Sequence, residues 1–203
     1  MQQTEAGNPN IVHKVFTFED EKKTPGETLT VSIPEVLDPQ YGMYVWPCAV
    51  VLAQFVWTHR EELSGKTVLE IGAGVGLPGV VAARCGARLF LSDSSENPSP
   101  PTSCCCQNWT WFLGSDVFYD PKDFEDVLVT IAFLLRKNPR ARFWTTYQVR
   151  SADWSIEVLL QRWDLDCVPV PLDQFHADRP ELAGSSLPGR HTVQMMIISR
   201  KNG

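Results

Sequence analysis

The sequence predicts an α/β fold with a mostly parallel central sheet, and two observations support this fold class. First, the strand Thr67–Ile71 is followed by a glycine turn, a helix from about Leu77 to Cys85 and a second strand, Arg88–Ser92. This order is a βαβ unit, which implies parallel strands with helices on the sheet faces. Second, a long polar loop joins the last two predicted strands, Leu165–Pro171 and Thr192–Arg200, and allows an antiparallel final pair.

Length and composition indicate one globular domain. The chain has 203 residues, of which 43% are hydrophobic and 21% are charged, and its formal net charge is −6. We expect a single domain over residues 1–203, with an N-terminal hairpin extension over 1–40 and the core over 41–203. The negative charge argues against direct nucleic-acid binding through a basic surface, and no apolar run reaches the roughly 20 residues of a membrane span.

The N-terminal part predicts a hairpin followed by a buried helix. Val12–Phe18 and Thr28–Val36 alternate apolar and polar residues on either side of Pro25–Gly26, which is typical of an antiparallel hairpin. We expect this hairpin to cap one side of the domain. Pro47–His59 begins with a proline suited to a first helical turn and is apolar on most faces, so it predicts a buried helix.

Four further elements are predicted after the βαβ unit. They are a possible strand at Thr110–Gly114, an amphipathic helix at Lys122–Lys137, a strand at Ala141–Tyr147 and a helix at Asp153–Trp163. With the last two strands, they complete an alternation of strands and helices.

Cysteine and histidine spacing predicts neither a disulfide framework nor a metal site. Cys48, Cys85 and Cys167 occur singly, whereas Cys104–Cys106 are adjacent, without a CxxC or CxxH pair. The four histidines are far apart in the sequence. We therefore expect reduced thiols and no metal ion.

The glycine turn Gly72-Ala73-Gly74-Val75-Gly76 is the most informative segment. Here a strand must turn sharply into a helix while its backbone stays open to a ligand, and glycine permits both. Asp93 lies 21 positions after Gly72, at the end of the next predicted strand, where a carboxylate can accept hydrogen bonds from both hydroxyls of a ribose. The pattern favours a nucleoside-cofactor site over a turn that merely shapes an α/β core.

Glu70, two residues before the first glycine, bears on the choice of cofactor. A carboxylate there would repel a pyrophosphate, but it could help to hold a cationic, phosphate-free ligand such as S-adenosylmethionine. Gly74–Gly79 also fits the dinucleotide pattern, so a nicotinamide-dependent oxidoreductase is the alternative.

The ExGxGxG pattern of Glu70–Gly76 resembles motif I of the seven-strand S-adenosylmethionine-dependent methyltransferases. Three other segments, Met43–Ala49, Ser115–Tyr119 and Tyr147–Trp154, resemble the methyltransferase-like subgroup that modifies protein side chains. The resemblance implies a Rossmann-like sheet with an antiparallel last strand, and S-adenosylmethionine as cofactor. It also implies a histone arginine as acceptor, chaperones or other proteins as further candidate partners, and a location in the cytoplasm and nucleus.

The resemblance also assigns residues to roles. The residues implied are Trp46, Glu70, Gly72, Gly74, Gly76 and Asp93 at the cofactor, and Asp116 and Tyr119, the D-x-x-Y motif, at the acceptor. In this arrangement Asp116 would attract a cationic acceptor, while Tyr119 and Trp46 would form an aromatic wall. A guanidinium is better bound by two carboxylates than by one. The sequence does not choose the second carboxylate among Asp120, Asp123 and Glu70.

The segment between Asp93 and Asp116 is too short for a complete seven-strand fold. Its 22 residues are rich in proline, cysteine and serine, whereas even one βαβ unit needs about 30 residues. We expect the part around 97–113 to be aberrant, and one edge strand and one helix to be missing, as in a splice variant or a wrongly predicted gene product. Trp109 and Trp111 are candidates to cover the adenine in place of the missing segment. A non-catalytic interaction module is the second alternative.

Overall fold

A computed structural model of the chain describes residues 11–20, 24–36, 44–93, 108–151, 154–186 and 192–201. Within these ranges, helices lie on both faces of a central sheet. The helices are α1 (Pro47–Thr58), α2 (Arg60–Leu63), α3 (Leu77–Arg84), α4 (Phe124–Lys137) and α5 (Glu157–Arg162), with a 3₁₀ turn at Leu172–Phe175. The strands are β1 (Ile11–Glu19), β2 (Thr28–Val36), β3 (Thr67–Ile71), β4 (Arg88–Ser92), β5 (Trp111–Ser115), β6 (Arg142–Gln148), β7 (Leu165–Val170), β8 (Glu181–Leu182), β9 (Ser185–Ser186) and β10 (Val193–Arg200).

The central sheet has six strands among the described residues, in the order β4-β3-β5-β6-β10-β7. The strands from β4 to β6 are parallel to one another. In contrast, β10 lies between β6 and β7 and is antiparallel to both. The predicted mostly parallel sheet with an antiparallel last strand is confirmed, and within the described ranges β4 is an edge strand.

The N-terminal hairpin and α1 pack on one face of this sheet. All twelve residues of α1 are buried, and Phe16 and Phe18 of β1 are 0% exposed in the same apolar cluster. The hairpin therefore covers one side of the core, as predicted. A second apolar cluster, formed by α4 and α5, lies against the opposite face. No helix in the described ranges is long and apolar enough to cross a membrane.

Several element boundaries differ from those predicted. The helix expected at Asp153–Trp163 begins only at Glu157, whose N–H donates to the Ser155 hydroxyl (3.2 Å). Helix α4 begins at Phe124 instead of Lys122, and Asp123 is its N-cap residue. The predictions for Met43, Asp153, Cys104–Cys106 and residues 97–107 fall outside the described residues.

Arg60, at the start of α2, ties the hairpin to the helical layer. Its guanidinium donates to Asp20 Oδ2 (3.1 Å), to Thr24 Oγ1 (2.6 Å) and to Glu27 Oε2 (2.8 Å), all of which precede β2. It also lies over the ring of Trp57, 4.2 Å from the centroid. The Arg60 side chain is 13% exposed and that of Asp20 only 3%, so this ion pair is shielded from solvent.

Replacing Arg60 by alanine should lower the free energy of unfolding by about 2–4 kcal/mol, because the buried carboxylate of Asp20 would lose its guanidinium partner. Chemical denaturation measures this loss. The matched control is Arg162→Ala, which removes an exposed ion pair with Glu125 (2.7 Å; side chains 56% and 43% exposed) and should cost less than about 1 kcal/mol. Equal losses in the two variants would contradict a special role for Arg60.

Candidate active site

The predicted site residues come together at the carboxyl ends of the parallel strands. The glycine turn follows β3, Asp93 follows β4 and Asp116 follows β5. In the sheet register Ile71 is paired with Ser92, and Glu70 with Leu113, so the three strands end at one edge. In open α/β sheets this edge is where ligands bind.

The glycines of the turn are required by its backbone. Gly72, Gly74 and Gly76 have φ angles of 60°, 51° and 72°, a left-handed conformation that strains any L-residue with a side chain. A Cβ atom on Gly72 would also lie 3.1 Å from Cγ1 of Val117. Asp93 stabilises the turn, because its Oδ2 accepts a hydrogen bond from the Gly74 N–H. The turn thus keeps an open backbone beside the end of β4.

Glu70 is 0% exposed and contacts the first turn of α3. Its Oε2 accepts a hydrogen bond from the Gly79 N–H (2.9 Å), whereas its Oε1 is buried without a hydrogen-bond partner among the described residues. Burial raises the pKa of Glu70 to about 8, and the charge of Asp93 acts in the same direction. Without a cation beside it, this carboxyl group therefore holds a proton near neutral pH.

This raised pKa makes the stability of the chain depend on pH. Between the ordinary value of 4.5 and about 8, the folded state holds a proton that the unfolded state has lost, so rising pH favours unfolding. We expect Glu70 alone to lower the free energy of unfolding by up to about 1.4 kcal/mol per pH unit in this window. Chemical denaturation at pH 5 to 8 should show that Glu70→Gln reduces this slope, whereas the exposed-site control Glu125→Gln keeps it. Identical slopes in the two variants would refute the assignment.

Asp116 is already bound to a guanidinium of the same chain. Its Oδ1 accepts hydrogen bonds from Arg150 Nη1 (2.9 Å) and the Gln148 N–H (3.3 Å), and its Oδ2 from Arg150 Nη2 (2.5 Å). The Asp116 side chain is 9% exposed and that of Arg150 is 30% exposed. The hydrogen bonds to Asp116 raise the pKa of Arg150. Arg150 belongs to the Tyr147–Trp154 segment that carries the resemblance, but the sequence does not predict its pairing with Asp116.

The backbone around Asp116 is held firmly. Its φ angle is 56°, and its N–H donates to the carbonyl oxygen of Thr146 (2.8 Å), at the end of β6. The Thr146 hydroxyl in turn donates to the carbonyl oxygen of Cys48 (2.8 Å), in the first turn of α1. Burial raises the pKa of the Cys48 thiol well above its ordinary value, so this side chain is neutral beside Asp116.

The two aromatic candidates lie in segments that adjoin this edge, the loop after β5 and the start of α1. Tyr119, in the loop after β5, is 61% exposed and therefore available to a ligand. Trp46 is the N-cap residue of α1, two positions before the Cys48 carbonyl that contacts β6. Its ring is 5.4 Å from that of Tyr44, edge to face. The structure thus positions an exposed tyrosine and a half-buried tryptophan near the ends of β5 and β6.

Two of the candidates for a second acceptor carboxylate, Asp120 and Glu70, make local hydrogen bonds. Asp120 accepts a hydrogen bond from the Lys122 N–H through Oδ1 (3.0 Å), and its carbonyl oxygen accepts one from the Asp123 N–H (3.0 Å). These bonds form the turn that leads into α4. Glu70 lies beneath α3 with a hydrogen bond to Gly79. Among these candidates and Asp116, only Asp116 is seen to bind a guanidinium through both carboxylate oxygens in the described residues.

The suggestion that Trp109 or Trp111 covers the adenine is wrong. Trp111 begins β5, and its indole N–H donates to the carbonyl oxygen of Glu62 in α2 (3.3 Å). Trp109 packs against Phe90, with 4.9 Å between ring centroids. Because β5 runs parallel to β3, its start lies at the edge opposite the glycine turn. The described part of the chain contains no cluster of three or more metal-ligating side chains.

Comparison with known proteins identifies the family. A profile described as lysine methyltransferase matches residues 26–100. The histone-arginine methyltransferase METTL23 of Xenopus laevis is 52% identical over 222 residues, covering 96% of this chain and 95% of that protein. METTL23 of Homo sapiens is 53% identical over 184 residues, covering 77% of this chain and 97% of that protein. The protein-lysine methyltransferase METTL21E of Mus musculus is more distant, at 27% identity over 62% of this chain and 65% of that protein.

These alignments contain positions that this chain lacks. The Xenopus alignment extends over 222 positions, whereas 96% of the 203 residues is about 195, so about 27 positions have no residue of this chain. The human alignment extends over 184 positions, against about 156 residues, and leaves about 28. Both shortfalls have the size of one helix and one strand with their connections.

A solved structure supports the fold independently. The 16S rRNA N2 G1207 methyltransferase RsmC of T. thermophilus superposes with a TM-score of 0.58 at 11% identity, covering 94% of this chain and 51% of that one. This likeness confirms the Rossmann-like architecture, and the relatives above confirm the resemblance inferred from motif I and the D-x-x-Y segment. The chain therefore belongs to the METTL23 family of protein methyltransferases, which use S-adenosylmethionine.

Proposed function

We propose that this chain transfers a methyl group from S-adenosylmethionine to an arginine side chain of a protein, with histones as the substrate class. The observation that carries the proposal is the pair formed by Asp116 and Arg150. Both carboxylate oxygens of Asp116 bind a guanidinium, so this position has the bidentate geometry that an arginine acceptor needs. The names of the METTL23 relatives, histone-arginine methyltransferases, point to the same acceptor.

The residues at the glycine turn fit this cofactor. The left-handed backbone of Gly72, Gly74 and Gly76 leaves the turn open to a ligand, and the unpaired Oε1 of Glu70 is a buried acceptor suited to an ammonium group. Asp93 follows β4, where a ribose would be held. When bound, S-adenosylmethionine supplies an electrophilic methyl group. The cationic cofactor suits Glu70 better than a pyrophosphate does, so the nicotinamide alternative is disfavoured.

In this proposal, side chains of the chain itself align the acceptor. Asp116 would hold the guanidinium in a fixed plane, since its own backbone is fixed by Thr146. The rings of Tyr119 and Trp46 would contact the same cation through their faces. For methyl transfer, such alignment is the main contribution that a protein makes.

A methylation assay tests this function directly. The purified chain would be incubated with core histones and S-adenosylmethionine carrying a labelled methyl group, and the products identified by mass spectrometry. We expect label on arginine. Label on lysine alone would overturn the arginine assignment.

We further propose a location in the nucleus and cytoplasm. We propose histones as protein partners, without direct binding to nucleic acid, and chaperones stay predicted partners.

A second candidate is a methyltransferase with weakened cofactor binding. The relatives have about 27 positions that this chain lacks, and we place the shortfall between Asp93 and Trp109, where the regular pattern is lost. Leu91 of the edge strand β4 is 53% exposed, and a Cβ on Gly76 would lie 3.4 Å from it. The affected surface therefore borders the glycine turn.

Isothermal titration separates the two candidates. If the shortened segment weakens cofactor binding, this chain should bind S-adenosylmethionine at least about 10-fold more weakly than the METTL23 protein of Xenopus laevis does. The reason is that part of the pocket wall would be missing. Equal dissociation constants would rule out this second candidate. No binding by a folded chain would instead favour the non-catalytic interaction module.

A further inference from the structure

We infer that a cavity beside α1 binds a second basic side chain of the protein substrate, outside the acceptor position. The cavity lies between the end of β1, the middle of α1 and the connection from β7 to β10, and its volume is about 280 Å³. Its lining residues include Glu19, Gln54, His176, Arg179 and Glu181. None of these five belongs to the glycine turn or to the acceptor position. The inference therefore adds a separate contact to the proposed function, on which it rests.

Two unpaired polar side-chain atoms line this cavity. Gln54 is 2% exposed, and its Nε2 donates to the carbonyl oxygens of Glu19 (3.0 Å) and Phe175 (3.2 Å). These carbonyl partners fix which end of the amide is the nitrogen, and Oε1 accepts no hydrogen bond within the described ranges. The Nε2 atom of His176 is buried and also has no hydrogen-bond partner among the described residues. Such unpaired atoms are uncommon inside folded proteins, and here two of them belong to one cavity.

Two carboxylates give the cavity a negative charge. Glu19 and Glu181 are exposed lining residues, and neither forms an ion pair with another residue of the described part of the chain. Arg179 supplies one positive charge and already has an interaction of its own. Two negative charges and one positive charge leave the lining at −1, on a chain whose net charge is −6. A basic partner is therefore attracted to this surface.

The lining fits an ammonium or a guanidinium group better than an anion. The N–H donors of such a cation would pair with Glu19, with Glu181 and with the Oε1 atom of Gln54. An anion would find donors only on Arg179 and His176 and would face two carboxylates. The volume is below the roughly 300–1,000 Å³ of pockets for small-molecule ligands, so it suits the end of one side chain.

Helix α1 connects the cavity with the acceptor position. The carbonyl oxygen of Cys48, in the first turn of α1, accepts a hydrogen bond from the hydroxyl of Thr146, the residue that holds the backbone of Asp116. Gln54 lies six residues further along this helix, which corresponds to about 9 Å. An extended peptide rises about 3.3 Å per residue, so about four to six residues span the two positions. One peptide can therefore place a basic side chain at Asp116 and another in the cavity.

A cavity that holds only ordered water predicts a different result. In that case a second basic residue is attracted only by the overall negative charge, and the loss of any two exposed glutamates weakens this attraction equally. If the cavity binds the side chain, the effect depends on Glu19 and Glu181 in particular. Comparing two pairs of glutamates distinguishes these possibilities.

The test measures peptide binding without turnover, by calorimetry on the full chain with S-adenosylhomocysteine present. The peptides GSGRGSGRGSG and GSGRGSGSGRGSG carry a second arginine four or six residues after the first, and glutamine replaces this arginine in their reference peptides. We expect at least one of the two to bind about 10-fold more tightly than its reference, well beyond the gain of about twofold from two equivalent arginines.

Two double variants test where this gain arises. Glu19→Gln combined with Glu181→Gln should lower the gain to about threefold or less, because it removes both carboxylates and keeps the side-chain shapes. The matched control combines Glu61→Gln with Glu62→Gln, which removes the same charge from exposed positions of α2 outside the cavity. This control should keep the gain. Glu181→Lys, which places a positive charge at the cavity, should abolish it and serves if the first double variant does not fold.

Three outcomes overturn the inference: no binding of any peptide, no gain from the second arginine, or equal loss of the gain in both double variants. Spermidine, a free amine, is titrated as well. If spermidine binds and loses affinity only in the variant of Glu19 and Glu181, while the second arginine adds nothing, the cavity takes a small amine and the substrate contact is wrong.

Failure of the proposed function would look different. In that case the single-arginine reference peptide would itself bind through the cavity. Its affinity would fall in the variant of Glu19 and Glu181 but not in Asp116→Asn. No peptide would be methylated when S-adenosylmethionine replaces S-adenosylhomocysteine.

Discussion

Replacement of Gly74 by arginine should abolish binding of S-adenosylmethionine, with a loss of at least about 100-fold in affinity. The φ angle of Gly74 is 51°, so any side chain there strains the turn by about 1–2 kcal/mol. The arginine side chain would also project from the turn that must stay open to the cofactor. In addition, a distorted turn would lose the hydrogen bond from the Gly74 N–H to Asp93. Isothermal titration of the folded variant measures the effect.

Gly65→Arg is the control for this experiment. Gly65 has a φ angle of 70°, and a Cβ there would have nothing within 4 Å. It precedes β3, whereas the glycine turn follows that strand, so the two positions lie at opposite edges of the sheet. The control carries the same backbone strain and should bind S-adenosylmethionine within about threefold of wild type. Similar losses in both variants would mean that Gly74 acts through stability and not through the cofactor site.

Asp116→Asn should lower kcat/KM for an arginine-containing histone peptide by at least about 100-fold. The amide keeps the shape of the side chain, but it cannot balance the charge of a guanidinium or accept through both terminal atoms. Binding of S-adenosylmethionine should change by less than about threefold, because the glycine turn and Asp93 are untouched. Steady-state kinetics and isothermal titration on the same preparation give the two values.

Asp120→Asn is the matched control for the acceptor site. Asp120 lies in the same loop, four residues after Asp116, and accepts a hydrogen bond from the Lys122 N–H. An asparagine oxygen can accept that bond equally well. We therefore expect activity within about threefold of wild type. If Asp116→Asn is no more impaired than this control, Asp116 does not bind the acceptor.

Much of the fold could be predicted from local sequence patterns. The segment from β3 through α3 to β4 combines apolar strands with glycines whose left-handed angles the structure requires. Helix α1 could be predicted because a proline begins it and it is apolar on most faces. In contrast, α2, β8 and β9 have only two to four residues each. No periodicity can develop over such lengths.

The site could be predicted as far as strand order brings residues together. The glycine turn, Asp93 and Asp116 each follow a parallel strand, and parallel strands end at one edge. The partner of Asp116 could not be predicted in this way, because Arg150 is 34 residues away and lies outside regular structure. The roles expected for Trp109 and Trp111 were wrong for a different reason. Trp111 begins β5 and Trp109 precedes it, and the direction of this strand places its start at the edge opposite the glycine turn.

The position of β10 between β6 and β7 also bears on how the chain is made. β7 joins the sheet through β10, and β10 includes residues up to Arg200. During synthesis, about 30 further residues must therefore be added after β7 before this strand can pair. At roughly 5–20 residues per second, their synthesis takes several seconds at most. Until then β6 also has a free edge. A nascent chain with two unpaired strand edges is prone to associate with other unfolded chains. We expect the sheet to be completed only after β10 has been synthesised and has left the ribosome.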